Sequence, residues 1–238
     1  MIRAVVFDVD GLLADTETLH FRSFQMLAKK YGHSVSHEAF RGFVGVTDVE
    51  NIDWMKKTFG IEEDDASMRA ERKQMYLDLV RIRRLDPAPG LRELLQFCTR
   101  TGLRRAVASS ASALEVNVVL ERLSAREPAL SPVRVVFDEI VTGNDVQHNK
   151  PHPEIYLTVA ERLGLSPASC VALEDSRPGV ESAKSAGLLC LAVPTEHTSE
   201  QDFSRADAVF GSLLEVVDRL KDLVAGDTHE GNEDSARG

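Results

Sequence analysis

Two aspartates follow an apolar run near the start of the chain, and their placement could support chemistry on an anionic substrate. The sequence VVFDVDG spans residues 5–11, so Asp8 and Asp10 stand at the end of a predicted buried strand. Burying a carboxylate is costly unless a cation or hydrogen-bond donors face it. Ligands of open α/β sheets bind at the carboxyl ends of strands. The pattern indicates two acids facing a metal ion and an anionic substrate, with Asp8 placed as nucleophile. A solvated turn after an edge strand is the alternative.

Polar side chains also follow three further predicted strands, and the lysine among them lies in the loop after the strand at 139–142. These residues are Ser109 and Ser110, Lys150, and Glu174 with Asp175. Because the carboxyl ends of parallel strands share one edge of a sheet, we expect all of them near the two aspartates. Carboxylates without a histidine or cysteine cluster favour a hard ion, namely Mg²⁺. Hydroxyls and a helix N-terminus suit phosphate oxygens, and a lysine would add positive charge and keep Asp8 ionised.

Each of these motifs has a simpler interpretation when it is taken alone. Ser109 and Ser110 could cap the helix that follows them, and Lys150 could be an ordinary surface lysine. The acids at 174–175 could lie at a helix N-terminus and interact with its dipole. Four motifs in succession, with complementary chemistry, favour the catalytic interpretation.

The rest of the sequence predicts the elements that would position these groups. After residue 90, strand and helix patterns alternate, which predicts an α/β fold with a Rossmann-like parallel sheet flanked by helices. Residues 16–85 instead carry apolar residues at helical spacing. We therefore expect an α/β core domain over 1–15 and 86–225, with an inserted all-helical cap domain over 16–85. The polar stretch 226–238 predicts a disordered tail. The proline-containing connection over 124–138 has no predicted role.

Net charge, cysteine spacing and the lengths of the apolar runs argue against several classes of protein. The chain has 238 residues and a formal net charge of -10, which argues against non-specific nucleic-acid binding. The cysteines at 98, 170 and 190 lack zinc-type spacing and indicate reduced thiols. No apolar run approaches the roughly 20 residues that span a bilayer, and no separate signal core is evident. We expect a cytoplasmic protein with a small-molecule substrate, no nucleic-acid or membrane partner, and a monomeric or weakly dimeric state.

The four motifs together resemble those of the haloacid dehalogenase superfamily, in the helical-cap subgroup of β-phosphoglucomutase-like and CbbY-like phosphatases. The matching segments are Asp-x-Asp-Gly at 8–11, the serine at 109, Lys-Pro-x-Pro at 150–153 and the acidic pair at 174–175. The resemblance covers essentially residues 2–224. It implies a Mg²⁺-dependent phosphatase that hydrolyses a small phosphorylated metabolite, such as a sugar phosphate, through an aspartyl-phosphate intermediate.

The resemblance also implies a role for each motif residue in the reaction. Asp8 would be the nucleophile, and Asp10 the general acid and base. Ser109, with the adjacent Ser110, and Lys150 would bind the transferred phosphoryl group.

The same resemblance implies a set of metal ligands. Asp8, the main-chain carbonyl of Asp10 and Asp175 would hold Mg²⁺, with Glu174 close by. Asp10 also argues against the dehalogenase branch of the superfamily, which needs neither that acid nor a metal.

Substrate choice would lie in the predicted cap. Thr16 and His20 resemble cap-hinge positions, although His20 could equally face solvent on an amphipathic helix. Gly45, Val46 and Thr47 lie in a segment that resembles the cap loop reaching over the active site.

Two other functions remain open at this stage. A phosphosugar mutase of the β-phosphoglucomutase type would place basic residues in the cap loop to bind a second phosphate. This chain has Val44 and Asp48 there, and an acid at that place would repel a phosphate, which favours hydrolysis. A non-catalytic binding module on the same fold is less favoured, because all four motifs are intact.

Overall fold

The computed structural model describes residues 1–226, apart from the side chains of residues 134 and 135, and its centre is a six-stranded sheet. The strands are β1 (Ala4–Phe7), β2 (Arg104–Ser109), β3 (Glu139–Thr142), β4 (Cys170–Glu174), β5 (Leu189–Ala192) and β6 (Ala208–Val209). Their order is β3-β2-β1-β4-β5-β6, and every neighbouring pair is parallel. The predicted fold class is confirmed.

Four helices stand between β1 and the return of the chain to the sheet. They are α1 (Glu17–Lys30), α2 (His37–Arg41), α3 (Asp48–Phe59) and α4 (Asp65–Ile82). Phe24, Phe40, Ile52 and Met68 belong to an apolar cluster that these helices share. Tyr76, further along α4, belongs instead to the core of the sheet. These helices, called the helical unit below, therefore pack both on one another and on the sheet.

The remaining helices cover the two faces of the sheet. They are α5 (Leu91–Thr101), α6 (Ala113–Ser124), α7 (Val133–Val136), α8 (Glu154–Leu163), α9 (Arg177–Ser185) and α10 (Leu213–Gly226). Alternate side chains of a strand point to opposite faces. Val5 and Phe7 accordingly join a cluster with residues of α5, α6 and α10, whereas Ala4 and Val6 join one with residues of α8 and α9. β1 is therefore buried on both faces, as is typical of a parallel sheet covered by helices.

The connection over 124–138 covers part of the core. It contains a 3-10 turn at Pro128–Leu130 and then α7. Leu130 is fully buried, and the Phe137 ring packs edge-on against Phe7 with 5.8 Å between ring centroids. This segment without a predicted role therefore closes one side of the apolar layer.

Two further predictions concern the tail of the chain and membrane-spanning segments. The disordered tail predicted over 226–238 lies outside the described residues, except for residue 226, which ends α10. Within residues 1–226, no helix combines the length and the apolar composition that crossing a bilayer requires.

Candidate active site

The structure brings the predicted polar strand ends together around one lysine. The Nζ atom of Lys150 lies 2.5 Å from Asp8 Oδ1 and 2.6 Å from Glu174 Oε1. It also donates a hydrogen bond to the carbonyl oxygen of Ala108, at the end of β2, over 2.8 Å. Burial alone would lower the pKa of Lys150, but the charges of Asp8 and Glu174 raise it above its ordinary value. The ammonium group therefore stays charged and joins three strand ends.

Glu174 is a fully buried carboxylate with two short contacts. Its Oε1 atom accepts a hydrogen bond from the hydroxyl of Tyr156, on α8, over 2.5 Å, in addition to its contact with Lys150. The hydroxyl of Ser176 caps α9 by accepting a hydrogen bond from the amide of Gly179. The N-cap of α9 is thus Ser176 and not Glu174, and the Glu174 carboxylate instead pairs with Lys150.

The acidic groups at this edge form a set that fits a divalent cation. One oxygen atom each of Asp8, Glu174 and Asp175 lies within 4.8 Å of the other two. Asp175 Oδ2 is buried and has no hydrogen-bond partner among the described residues. A Cβ at Gly11 would overlap that carboxylate, so glycine leaves the space for it. All-oxygen donors of this kind are the ligands that Mg²⁺ prefers.

The raised pKa values of Asp8 and Asp175 also favour a divalent cation at this site. Burial raises the pKa of Asp8 to about 8, because the attraction of Lys150 does not outweigh burial together with the repulsion from Glu174 and Asp10. Burial, followed by the charges of Asp8 and Glu174, raises the pKa of Asp175 well above its ordinary value. The attraction of Lys150 therefore does not by itself offset the burial of Asp8. A divalent cation would supply the missing charge.

The side chain of Asp10 points away from this cluster and towards the helical unit. Its Oδ1 atom accepts hydrogen bonds from Thr16 Oγ1 over 2.9 Å and from the Tyr76 hydroxyl over 3.3 Å, and lies 3.6 Å from His20 Nε2. The Thr16 hydroxyl also accepts a hydrogen bond from the amide of Gly11. Burial alone would raise the pKa of Asp10, but the hydrogen bonds from His20, Thr16 and Tyr76 lower it. The two aspartates therefore have separate environments.

His20 faces the site rather than solvent. Its ring stacks on Tyr76 with 3.8 Å between centroids and an interplanar angle of 5°. Nη1 of Arg72 lies 3.0 Å from Nδ1 of His20. Because a guanidinium can only donate hydrogen bonds, Nδ1 is the acceptor, and the proton of the neutral ring lies on Nε2, towards Asp10. The solvent-facing alternative is wrong.

A cavity of about 470 Å³ separates the strand ends from the helical unit. Its volume lies within the range of small-molecule sites. The predicted site residues that line it are Asp8, Asp10, Ser109, Ser110, Lys150, Asp175, His20, Gly45, Val46 and Thr47. Two predicted residues are not in the lining. Thr16 lies behind Asp10, and Glu174 behind Lys150.

The two serines at the end of β2 do not cap the next helix. Ser112 is the N-cap of α6 and forms a capping box with Glu115. The buried Ser109 accepts a hydrogen bond from the amide of Ala111 over 3.1 Å, and Ser110 is exposed at the cavity wall. The capping alternative is therefore wrong for Ser109 and Ser110, and both hydroxyl groups remain at the strand end.

The loop before α3 contacts the core side of the cavity. Gly45 has a φ of +82°, and a Cβ there would lie 2.9 Å from Cγ of Pro178, on α9. Val46 is 42% exposed at the cavity. Thr47 caps α3, accepts a hydrogen bond from the Glu50 amide and donates one to the Glu50 carboxylate. The Thr47 hydroxyl is thus hydrogen-bonded to Glu50 within the helical unit.

Sequence reasoning missed a buried cation in this cavity. The side chain of Arg72 is 2% exposed, lies 2.5 Å from the Asp48 carboxylate and 3.8 Å from that of Glu115. Its spacing of four residues from the buried Met68 and Tyr76 placed it on the apolar face of α4, and this was the available signal. Asp48, which the sequence analysis expected to repel a second phosphate, is therefore paired with a buried cation.

Glu17 is a second lining residue that the sequence analysis did not single out. It is the first residue of α1. Burial raises the pKa of Glu17 to about 7, with His20 and Arg72 acting in the opposite direction. The far side of the cavity therefore offers both a cation and a carboxyl group to a substrate.

A parallel sheet that gathers two aspartates, a serine, a lysine and an acidic pair at one edge is the arrangement of a known class of hydrolases. The chain belongs to the haloacid dehalogenase-like hydrolase family, whose family model matches residues 5–193.

Individual relatives support this assignment over most of the chain. Protein CbbY of Rhodobacter capsulatus is 32% identical over 212 residues, which cover 87% of this chain and 91% of that protein. The Phosphorylated carbohydrates phosphatase of Thermotoga maritima is 35% identical over 191 residues, which cover 79% and 82%.

A solved structure extends the likeness to three dimensions. A mutant of CbbY from Rhodobacter sphaeroides, in complex with xylulose-(1,5)bisphosphate, superposes with a TM-score of 0.78 at 30% identity, covering 90% of this chain and 96% of that one. The predicted family and the predicted enzyme class, a phosphoric monoester hydrolase, are confirmed by these relatives.

Proposed function

We propose that this chain is a Mg²⁺-dependent phosphatase that hydrolyses a small phosphorylated sugar through a phosphoaspartate formed on Asp8. The observation that carries the proposal is the position of Lys150 Nζ, within 2.6 Å of both Asp8 and Glu174. The names of two relatives, a phosphorylated carbohydrates phosphatase and a CbbY in complex with a sugar bisphosphate, support the choice of a sugar phosphate.

The acidic cluster supports the assignment of the ion. Asp8, Asp175 and the main-chain carbonyl of Asp10 would hold Mg²⁺, with Glu174 beside them. The unpartnered Oδ2 atom of Asp175 and the raised pKa values of Asp8 and Asp175 fit a cation at this place. When bound, Mg²⁺ reduces the repulsion between the Asp8 carboxylate and a phosphate group.

The reaction follows from the groups around the cavity. The Asp8 carboxylate attacks phosphorus, the phosphorus–oxygen bond to the sugar breaks, and the leaving oxygen takes a proton from Asp10. Water then loses a proton to Asp10 and attacks the same phosphorus, which releases inorganic phosphate and restores Asp8. The lowered pKa of Asp10 keeps its carboxylate ionised, which is the form that accepts the proton of water in the second step. Lys150, Ser109 and Ser110 bind phosphoryl oxygens in both steps.

We further propose that the helical unit is a cap domain over residues 16–85 on a core of 1–15 and 86–225. The cavity between them supports this division. Lys73 Nζ lies 3.1 Å from Glu115 and donates a hydrogen bond to the Ser112 hydroxyl over 2.5 Å, which joins α4 to the start of α6. Closure of the cap would exclude water during attack, and opening would release products. His20, Gly45, Val46 and Thr47 belong to the substrate-facing part of this cap, and Thr16 supports Asp10 from behind.

Hydrolysis is favoured over the mutase reaction. The relatives that match most of the chain include proteins named as phosphatases. A binding module without catalysis is not supported, because the proposed nucleophile, acid and phosphate ligands all line one cavity.

Phosphate release from a panel of sugar mono- and bisphosphates tests the proposal. We expect release with Mg²⁺ and none with EDTA. Asp8→Asn should reduce kcat by about 10⁴-fold or more, as loss of a nucleophile does, whereas Asp53→Asn, at a half-exposed position of α3 outside the cavity lining, should leave it unchanged. Equal rates for the two variants, or no release from any member of the panel, would contradict the proposal.

A further inference from the structure

An exposed cluster of two histidines and a glutamate lies beside the segment that carries Lys150. Nδ1 of His148 is 2.9 Å from Oε2 of Glu154, and Nδ1 of His152 is 3.9 Å from the same oxygen. The two imidazole rings are 4.7 Å apart between centroids. One donor atom from each of the three residues lies within 4.8 Å of the other two.

We propose that His148, His152 and Glu154 form a surface site for a divalent transition-metal ion of the zinc class. Two imidazoles and one carboxylate are a frequent protein donor set for such ions. Zinc–nitrogen and zinc–oxygen bonds of about 2.0–2.2 Å place two tetrahedral ligands roughly 3.3–3.6 Å apart. The separations of 2.9 and 3.9 Å from Glu154 lie on either side of that spacing, so small side-chain rotations bring the donors into place.

The carboxylate of this cluster is held in position by the backbone. Oε1 of Glu154 accepts a hydrogen bond from the amide of Gln147 over 2.8 Å, and Oε2 accepts one from the amide of His148 over 2.9 Å. Such supporting contacts fix the orientation of metal ligands. Glu154 is therefore oriented before an ion arrives, and only the two imidazoles need to turn.

This site differs in chemistry from the acidic cluster at the strand ends. Asp8, Glu174 and Asp175 are buried and offer only oxygen, which suits Mg²⁺, whereas imidazole nitrogen favours zinc-class ions. The two sites can therefore be filled separately by choice of ion. The inference does not rest on the proposed phosphatase activity.

An ion at this site would also restrain the catalytic segment. His148 precedes Lys150 by two residues, and His152 follows it by two. A metal bound to both would cross-link the chain on either side of the lysine that contacts Asp8. We therefore expect occupancy to reduce the motion of residues 147–152.

Calorimetric titration of the whole chain with Zn²⁺, in saturating Mg²⁺, tests the site. We expect His148→Ala and His152→Ala each to weaken Zn²⁺ binding at least about tenfold, since even outer-shell partners of metal ligands change affinity by about 10–100-fold. His33→Ala removes an exposed histidine that stacks on Phe59, away from the cluster, and should bind Zn²⁺ as the unaltered chain does. Equal affinity in all three variants, or no Zn²⁺ binding by the unaltered chain, would overturn the proposal.

Amide hydrogen exchange provides a second readout that does not depend on activity. Zn²⁺ should slow exchange of the amides at 147–152 in the unaltered chain and in His33→Ala, but not in His148→Ala or His152→Ala. Unchanged exchange upon Zn²⁺ binding would overturn the claim that the ion restrains the Lys150 segment.

Discussion

Tyr156→Phe should destabilise the protein markedly, although this residue is not in the cavity lining. The variant removes one hydroxyl group, which donates to the fully buried Glu174 over 2.5 Å. A hydrogen bond to a charged group contributes about 1.5–3 kcal/mol to stability. Because Lys150 would be the main remaining partner of that carboxylate, we expect a loss of about 1.5–3 kcal/mol in the free energy of unfolding.

Urea unfolding followed by circular dichroism measures this loss directly. The slope with denaturant should be unchanged, since the same surface is exposed on unfolding. For a chain of this size, 1 kcal/mol corresponds to about 2–4 °C in the melting temperature. The expected decrease is therefore about 3–12 °C, measured in EDTA so that metal binding does not contribute.

Tyr76→Phe is the matched comparison. Tyr76 is equally buried, but its hydroxyl lies 3.3 Å from Asp10, which keeps its 2.9 Å hydrogen bond from Thr16. This variant should therefore lose less stability than Tyr156→Phe. If Tyr156→Phe were as stable as the unaltered chain, or no less stable than Tyr76→Phe, the inference that Tyr156 compensates the buried charge of Glu174 would be refuted.

Two further predictions concern the acidic cluster. Gly11→Ala places a Cβ in the space of the Asp175 carboxylate, at a φ of +77°, and should weaken Mg²⁺ binding by calorimetry at least about tenfold; Gly102→Ala, at a φ of +71° with open space around it, should leave Mg²⁺ binding unchanged. The pKa of Asp8 rises from 3.8 to about 8 on folding, so the folded state favours the protonated carboxyl, and the stability that this group contributes to the metal-free protein is lost as pH rises towards 8. Thermal melts in EDTA between about pH 6 and 8, above the ordinary range of carboxyl groups, check this, and a metal-free protein whose stability does not fall there would contradict it.

The meeting of the motifs could be predicted from the sequence because it depends on topology. Parallel strands end at one edge, so the order of apolar runs and polar ends was enough to bring Asp8, Lys150 and Glu174 together. The contribution of Tyr156 could not be found this way, since a tyrosine on the apolar face of α8 has the pattern of an ordinary core residue. Arg72 was overlooked for a different reason: its spacing from Met68 and Tyr76 placed it on the buried face of α4, but arginine is ordinarily an exposed residue.

The charge balance of the cavity makes phosphate binding depend on the metal. Among the described lining residues, six are acids and two are cations, Arg72 and Lys150. Both cations already contact carboxylates, Asp48 in one case and Asp8 in the other. An anionic substrate entering this cavity would therefore meet repulsion unless a divalent cation neutralises the strand-end acids. We expect inorganic phosphate to bind in calorimetric titrations with Mg²⁺ and to bind at least about tenfold more weakly in EDTA, a difference of about 1.4 kcal/mol. Equal affinity in Mg²⁺ and in EDTA would mean that Lys150 and the serine hydroxyls bind phosphate without a metal ion, and would contradict this prediction.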